Sequence, residues 1–482
     1  MSVVSPSSPE PAIEAIPANE TVPRWAYTTF CVLFAMSLLD FYDRWTLAGV
    51  LTILQSDLRL SDAEAGSLNT FFLVAYSVIA PLMGWLGDRV KRTRLLAIGV
   101  GVWSVATVGT GLANNLGELR LARSVLGIGE ATYGVLAPSI LMDLFPRARR
   151  ARVLSFFLLG MPLGYALGIK LGGWIAETTG DWRIAFFVAG APGFVAALAA
   201  LFLPEPVRGL SEGLDVEALR RHQAFRPSKQ DYKDLMVNSS FTYTVFGLAA
   251  YTFAFGGMAF WLESFLVRVR GMEKGDAGTL VAATGFLAAI LGMTGGGWLA
   301  DRLQKKVPGA LLLVSGTSML LAVPCILAGL LSTNATAIGV WMFLAQFLLF
   351  ANAGPSNAVI AGVVLPNMRA TAYAINTFAI HFLGDVWSPL LMGAVSDYFG
   401  RLSVMQTPPG QLLAGLGFVP VRFDGQWRNL GAGMLVVVPA VILGAAVLLA
   451  GVRHLPREMA LMRARLKYEL AREEMRERGE LP

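Results

Sequence analysis

Twelve stretches of this chain are each apolar for about the 20 residues that an α-helix needs to cross the hydrocarbon core of a bilayer. They follow one another from Trp25 to Val452, over 25–50, 65–87, 95–114, 118–143, 151–176, 183–203, 241–267, 276–300, 309–331, 336–364, 369–396 and 430–452. Hydrocarbon offers backbone N–H and C=O groups no partner, so stretches of this length must satisfy them internally, as helices. The expected fold class is therefore an all-α membrane protein with twelve transmembrane helices. Composition agrees where it decides between alternatives. Of the 482 residues, 55% are hydrophobic and 15% charged, against about 25% charged in ordinary soluble domains, which argues against a soluble enzyme and against disorder. The only cysteines, Cys31 and Cys325, lie inside apolar runs, where a thiol packs as a small hydrophobe. No redox or zinc reading survives.

The formal charge of +6 does not imply nucleic acid, because the basic residues form no single face. They fall instead in alternate gaps: Arg89, Lys91, Arg92 and Arg94, then Arg147, Arg149, Arg150 and Arg152, then Arg302, Lys305 and Lys306. The positive-inside rule places those gaps, and with them both termini, in the cytoplasm. Residues 1–22, rich in Ser, Pro, Glu and Ala, have no apolar core of the kind a secretory signal needs and read as a disordered cytoplasmic tail. The polar stretch 204–238 divides the runs six and six, and is expected to be a cytoplasmic linker between six-helix bundles at 23–203 and 239–453. Its Arg208, Arg220, Arg221, Lys229 and Lys233 suit a lipid headgroup surface, and a merely solvated linker explains them equally well. In 454–482, Met459, Met462, Leu466 and Leu470 recur at three- and four-residue spacing among charges. That pattern predicts an amphipathic helix on the membrane or on the cytoplasmic loops.

The two halves repeat. Gly84-Trp85-Leu86-Gly87-Asp88-Arg89 recurs as Gly297-Trp298-Leu299-Ala300-Asp301-Arg302, each time at the cytoplasmic end of the second run of a half. Pro146, Arg149 and Gly164 are matched by Pro366, Arg369 and Gly384. Duplicated six-helix halves place a substrate site between them near the midplane, and each half rocks against the other.

Charges inside the spans cost about 2.5–3.5 kcal/mol each even on the lenient insertion scale. Arg123, Gly127 and Glu130 fall at i, i+4 and i+7 of the fourth run, so both charges share one helix face. Asp43 and Arg44 lie at a similar depth to Arg123, which makes an Asp43–Arg123 pair feasible. Glu130 reads as a proton carrier whose affinity changes with its distance from Arg123 or Arg44. The alternative is a static ion-pair cluster holding the first and fourth helices together. Asp40, one turn before Arg44, is a second acid or a cavity-facing polar group. In the fifth run Gly160, Gly164 and Gly168 are spaced by four, which lets helix backbones approach closely.

At these residues the chain resembles the major facilitator superfamily. More narrowly, Asp43-Arg44, Arg123 with Gly127-Ile128-Gly129-Glu130-Ala131, Pro366-Asn367-Met368-Arg369-Ala370-Thr371-Ala372, and His381-Phe382-Leu383-Gly384-Asp385 with Ser388-Pro389 resemble the Spinster family. The likeness runs from about residue 25 to 455, and it implies a bacterial member in the inner membrane. It implies a proton-coupling set of Glu130, Asp43, Arg123 and Arg44, and a cytoplasmic gate of Gly84, Asp88, Arg89, Asp301, Arg302 and Arg149. A topology-setting turn explains the gate residues as well. Spinster proteins move lysophospholipids and sphingoid phosphates, so the substrate implied is amphipathic and lipid-like. A drug or small organic-anion exporter or permease is the alternative.

Further candidates for the substrate cavity are Asp40, Tyr133, Tyr165, Lys170, Glu263, Asn352, Asn357, Asn376, His381 and Asp385. The amides read mainly as glue that satisfies itself across helices, and His381 as hydrogen-bonded packing. Glu263 and Lys170 belong to none of these motifs and are candidates for substrate contact or a lumen-facing ion pair. Metal-ligand spacing, a phosphate-binding loop and a nucleophile elbow are all missing. No metal, cofactor, enzymatic activity or nucleic-acid partner is expected. The expected partners are the substrate, protons and membrane lipids, and the chain is expected to act as a monomer driven by a gradient.

Overall fold

The computed structural model describes residues 22, 24–87, 89–145, 147–206, 229–364 and 368–477. Residues 1–21 of the expected tail, most of the linker with Arg208, Arg220 and Arg221, and Asp88, Pro146, Pro366 and Asn367 lie outside the described residues.

Twelve helices are long and apolar enough to cross a membrane: Arg24–Leu58, Asp62–Gly87, Arg92–Leu112, Leu116–Leu144, Phe156–Thr179, Trp182–Leu201, Ser239–Arg268, Lys274–Gln304, Ala310–Leu331, Ala335–Val363, Thr371–Gly400 and Leu430–Gly451. They are called the first to twelfth spans below. Their outward sides are apolar, with Val78, Ile98, Leu121 and Val195 all exposed, as suits a protein whose solvent is hydrocarbon rather than water.

Prolines explain where spans break. The fifth begins at the end of one helix, Arg147–Leu158, and resumes at Gly160, because Pro162 has no N–H to give the carbonyl four residues back. The tenth divides into Ala335–Phe350 and Ala353–Val363, ahead of Pro355. In the eleventh a π-helical turn, His381–Asp385, precedes Pro389. The missing N–H of Pro389 leaves the Asp385 carbonyl free, and Asn69 Nδ2 of the second span donates to it at 3.2 Å.

The first span packs on the fifth, the second on the fourth, and the third on the fourth and sixth. In the second half the seventh and ninth spans pack on the twelfth, and the eighth and ninth on the tenth. The halves touch through the first and seventh spans, the second and eleventh, and the fifth and eighth. The last two seams are equivalent under the repeat. Glycine makes the second–eleventh seam possible: a Cβ on Gly66 would run into the Pro389 backbone, and one on Gly393 into that of Asp62. Along the fifth span, Gly160, Gly164 and Gly168 lie directly on Ser37, Phe41 and Tyr42 of the first, the close approach that their spacing implied.

Two faces follow. One, the terminal face, carries the loops after spans two, four, six, eight and ten and the C-terminal helix. The opposite face carries the rest, including an unforeseen insertion between the last two spans. It consists of helices Leu402–Met405 and Pro408–Gly415 and an antiparallel hairpin, β1 Val421–Phe423 and β2 Gln426–Arg428. Asp424 and Gly425 both have positive φ, 50° and 75°, the two-residue turn that suits a hairpin's twist. On the terminal face, the helix Leu455–Glu477 docks on the second half: Glu458 accepts the Ser239 and Ser240 N–H groups at 3.0 and 2.7 Å, and Arg465 pairs with Asp234 at 3.0 Å.

Candidate functional site

The fourth span starts at Leu116, capped by Asn115, whose side chain accepts from the Glu118 N–H. Two turns apart on its inner side sit Arg123 and Glu130, 1% and 0% exposed. The Glu130 Oε2 accepts from Arg44 of the first span, at 2.6 Å from Nη2 and 3.0 Å from Nε. Arg44 also lies 3.7 Å from Asp40 on the turn before it. Both guanidiniums lie over the phenyl ring of Phe72, Arg44 at 4.9 Å and Arg123 at 5.1 Å from its centroid.

The Asp43–Arg123 pair does not form. Asp43 accepts instead from the Thr107 hydroxyl of the third span, and no ion pair joins it to Arg123, whose Nε and Nη1 have no hydrogen-bond partner. Equal depth did not bring them together, because the two side chains leave their helices in different directions: Asp43 turns to the third span while Arg123 lies on Phe72. The remaining oxygens Asp40 Oδ1, Asp43 Oδ1 and Glu130 Oε1 are also buried and unpartnered. Buried polar atoms are rarely left so.

This cluster reaches the second half through one aromatic side chain. The Tyr76 ring lies 5.5 Å from the Arg44 guanidinium and 5.9 Å, edge-on, from the ring of His381 on the eleventh span. His381 Nδ1 is 3.0 Å from the Asp385 carboxylate. Tyr133 is buried and donates to the Leu33 carbonyl at 2.8 Å. Tyr165 packs edge-on against Trp45, its hydroxyl buried without a partner.

The amides do not satisfy one another, contrary to expectation. Asn352 and Asn357 donate to carbonyls of their own helix, Leu349 and Ala353, while the Asn352 and Asn376 Oδ1 atoms are unpartnered. Asn352 and Asn357 thus bond local backbone rather than a facing helix. Lys170 and Glu263 form no ion pair with each other. Lys170 donates to the Gly275 carbonyl at 2.9 Å and the Thr279 hydroxyl at 2.5 Å, and the cation nearest Glu263 is Lys274, at 4.0 Å.

At the terminal face the repeat is conformational as well as sequential. Arg89 folds back over the Trp85 ring at 4.0 Å and Arg302 over that of Trp298 at 5.4 Å. Gly84 packs against Val135 at an ordinary distance, and Asp301 is exposed. Arg149 donates to the Tyr27 hydroxyl at 3.2 Å, beside a cleft lined by Phe30, Phe145 and Phe156. Arg92, expected only as a loop charge, is buried in an ion-pair set with Asp143 at 2.6 Å and Glu205 at 3.0 Å. Burial opposes ionisation of Glu205, but the Thr93 N–H and the Arg92 guanidinium outweigh it and hold that carboxyl below its ordinary value.

Hydrogen bonds between the halves gather at the opposite face. Asp62, 0% exposed, accepts from both Arg268 nitrogens at 2.8 and 3.0 Å, from Arg428 of the hairpin at 3.0 Å, from Gln55 at 2.9 Å and from Ser396 at 2.6 Å. Asp397 accepts from the Asp62 and Ala63 N–H groups at 3.1 and 2.8 Å. Sequence reasoning missed this network. Its one trace was an acid at a helix start facing a run of 30 residues, 400–429, too polar to span. Among the described residues, no hydrogen bond or ion pair joins the two halves at the terminal face.

Twelve spans in two equivalent halves, seamed at one end and carrying a buried charge cluster, define a superfamily transporter: a family model, Major Facilitator Superfamily, matches residues 33–389, and the chain belongs to that family. It is a multi-pass integral membrane protein. Within the superfamily it is a transporter of the Spinster type. It is 34% identical over 402 residues to Protein spinster of Drosophila melanogaster, covering 80% of this chain and 65% of that protein. It is 32% identical over 386 residues to the Sphingosine-1-phosphate transporter SPNS2 of Xenopus tropicalis, covering 76% of this chain and 73% of the relative. The fold is that of a bacterial homolog to the human lysosomal transporter Spinster, crystallised inward-facing and unoccupied, with a TM-score of 0.78, 22% identity, and coverage of 91% of this chain and 99% of that one.

Proposed function

We propose that this chain carries an anionic, lipid-like amphiphile across a bacterial inner membrane by alternating access coupled to protons, as a monomer, with Glu130 as the main proton site. The observation that carries the reading is the charge count in the buried cluster. Asp40, Asp43 and Glu130 face Arg44 and Arg123, so full ionisation leaves one net negative charge among side chains of which only Arg44 is partly exposed. One proton removes it. Because Arg44 is held by Glu130 and touches Tyr76, which touches His381 of the other half, protonating Glu130 frees a side chain that bears on the seam between halves. Ligand, proton and conformation are then linked.

Arg123 supports the anionic substrate. It is a buried guanidinium whose Nε and Nη1 have no hydrogen-bond partner, and an incoming phosphate would accept from both nitrogens. The name of one relative, a sphingosine-1-phosphate transporter, points the same way. With the terminal face taken as cytoplasmic, by the basic residues there, the hydrogen bonds gathered at the opposite face support an outer seam that is closed, as in an inward-facing state. Gly84, Asp88, Arg89, Arg149, Asp301 and Arg302 then serve the state in which the cytoplasmic side closes.

Reconstituted protein tests the substrate class. Flux of a lysophospholipid or a sphingoid phosphate, and not of a small organic anion, is expected, with Arg123→Met abolishing it. Flux of the small anion alone overturns the lipid reading.

A further inference from the structure

One buried ion pair has no part in the cycle just described. Glu263, on the seventh span, is 1% exposed and neither of its carboxylate oxygens has a hydrogen-bond partner. Its cation is Lys274, the first residue of the eighth span, at 4.0 Å. Although Lys274 belongs to the second half, its ammonium sits in the first: Nζ donates to the Thr52 hydroxyl of the first span at 3.0 Å. Its stem crosses the fifth span at Gly173, where an added Cβ would stand 3.5 Å from Lys274 Cε and 3.1 Å from the Gly49 carbonyl oxygen. The missing side chain there makes the groove that Lys274 occupies. Lys274 is therefore a pin driven from one half between two helices of the other, with Glu263 behind it as counter-charge.

The other charged groups nearby are accounted for. Glu177 of the fifth span faces both Glu263 and Lys274. Lys170 is committed to Gly275 and Thr279, and Arg268, further along the seventh span, to Asp62. The first span contributes only the uncharged Thr52.

We propose that Glu263 is a second proton-binding site, separate from the Glu130 cluster, which keeps the Lys274 pin seated while ionised and releases it on taking up a proton from the outer side. The proposal rests on the alternating-access reading and deepens it. With Glu263 ionised, the ammonium in the seam is paired. A proton on Glu263 leaves that buried ammonium with only Glu177 as counter-charge, a costly loss of its closest partner. The strain is relieved when the pin withdraws into water, which requires Thr52 and Gly173 to part from the eighth span. By linkage, the proton then binds more tightly to the outward-open state, and acid on the outer side favours opening.

The test uses the full chain in lipid nanodiscs, with Cys31 and Cys325 replaced by serine and spin labels at Ser56 and Leu402, on the two sides of the outer seam. Label distances are followed from about pH 5 to about pH 9. The parent should open as pH falls. Glu263→Gln should show the long distance at neutral pH, and Lys274→Met should move the opening midpoint by about one pH unit or more. Glu263→Asp should restore a pH-dependent curve, which a merely misfolded variant does not. Parent-like curves in both Glu263→Gln and Lys274→Met overturn the proposal. If Glu130→Gln alone abolishes the whole response, this second site falls while coupling through Glu130 stands. If a pH gradient drives uptake but the distances ignore pH, the pin is again overturned and the transport reading is not.

Discussion

Arg44 and Glu130 meet with 2.6 Å between Nη2 and Oε2, so that a first-span guanidinium holds a fourth-span carboxylate at full burial. Removing one partner of a buried pair leaves the other charge uncompensated, at a cost of about 3–5 kcal/mol. Arg44→Met should therefore lower thermal stability measurably in detergent at neutral pH. Arg44→Met combined with Glu130→Gln should recover part of the loss, since Glu130 no longer stands as a lone charge and only Asp40 has lost its cation. A double variant as unstable as the single one would show that Arg44 matters through packing on Phe41 and Phe72 rather than through its charge.

Asp62 gathers Arg268, Arg428, Gln55 and Ser396 from both halves. Asp62→Asn keeps the shape and removes the charge that two arginines share. The expected outcome is an outer seam that opens in the absence of substrate, seen as faster labelling of a cysteine placed at Ser396. Unchanged labelling would mean that the remaining bonds between the halves, those to Asp397 among them, hold the seam without the Asp62 charge.

The second–eleventh seam depends on bare glycine. A side chain at Gly66 meets the Pro389 backbone, which cannot move aside as a flexible side chain does. Gly66→Leu should keep the outer seam from closing and reduce flux at least about tenfold, a cost of about 1.4 kcal/mol in the closed state. Gly101→Leu, where a Cβ meets nothing nearer than 4.0 Å, serves as the comparison and should be mild. Equal damage from both would refute the steric account.

Glu205 gives a pH dependence with a defined sign. Its carboxyl lies below the ordinary 4.5 in the folded chain, so its contribution is complete above that value and is lost as pH falls through the lower folded one. Glu205→Gln should lower the melting temperature at about pH 7, and the difference should shrink steadily as pH falls below the ordinary carboxyl range. A deficit as large in acid as at neutrality would mean that the bonds to Arg92 and Thr93 do not depend on ionisation.

What could be read in the sequence follows from where charge is expensive. Arg123 and Glu130 stand out because they interrupt an apolar run, and the repeated Trp–Arg ends stand out because two copies agree. Asp62, Arg268, Lys274 and Arg428 did not, since they lie at or beyond span ends, where a charge costs little until the two halves close over it. Depth along a helix was readable from spacing; direction around it was not. That is why equal depth suggests an Asp43–Arg123 pair when the Thr107 hydroxyl takes Asp43, and why Lys170 and Glu263 read as candidates for substrate contact or an ion pair when Lys170 donates to Gly275 and Thr279 and Glu263 faces Lys274. The insertion after the eleventh span carried a readable Asp424-Gly425 turn, but its use, delivering Arg428 to Asp62, exists only in three dimensions.

The claim on which the account turns is that Glu130 exchanges a proton as the halves move. Proteoliposomes with an imposed pH gradient and a labelled lysolipid test it most directly. Gradient-driven flux is expected in the parent and, in Glu130→Gln, only exchange that ignores the gradient. Flux in Glu130→Gln that still follows the gradient as the parent does would contradict it.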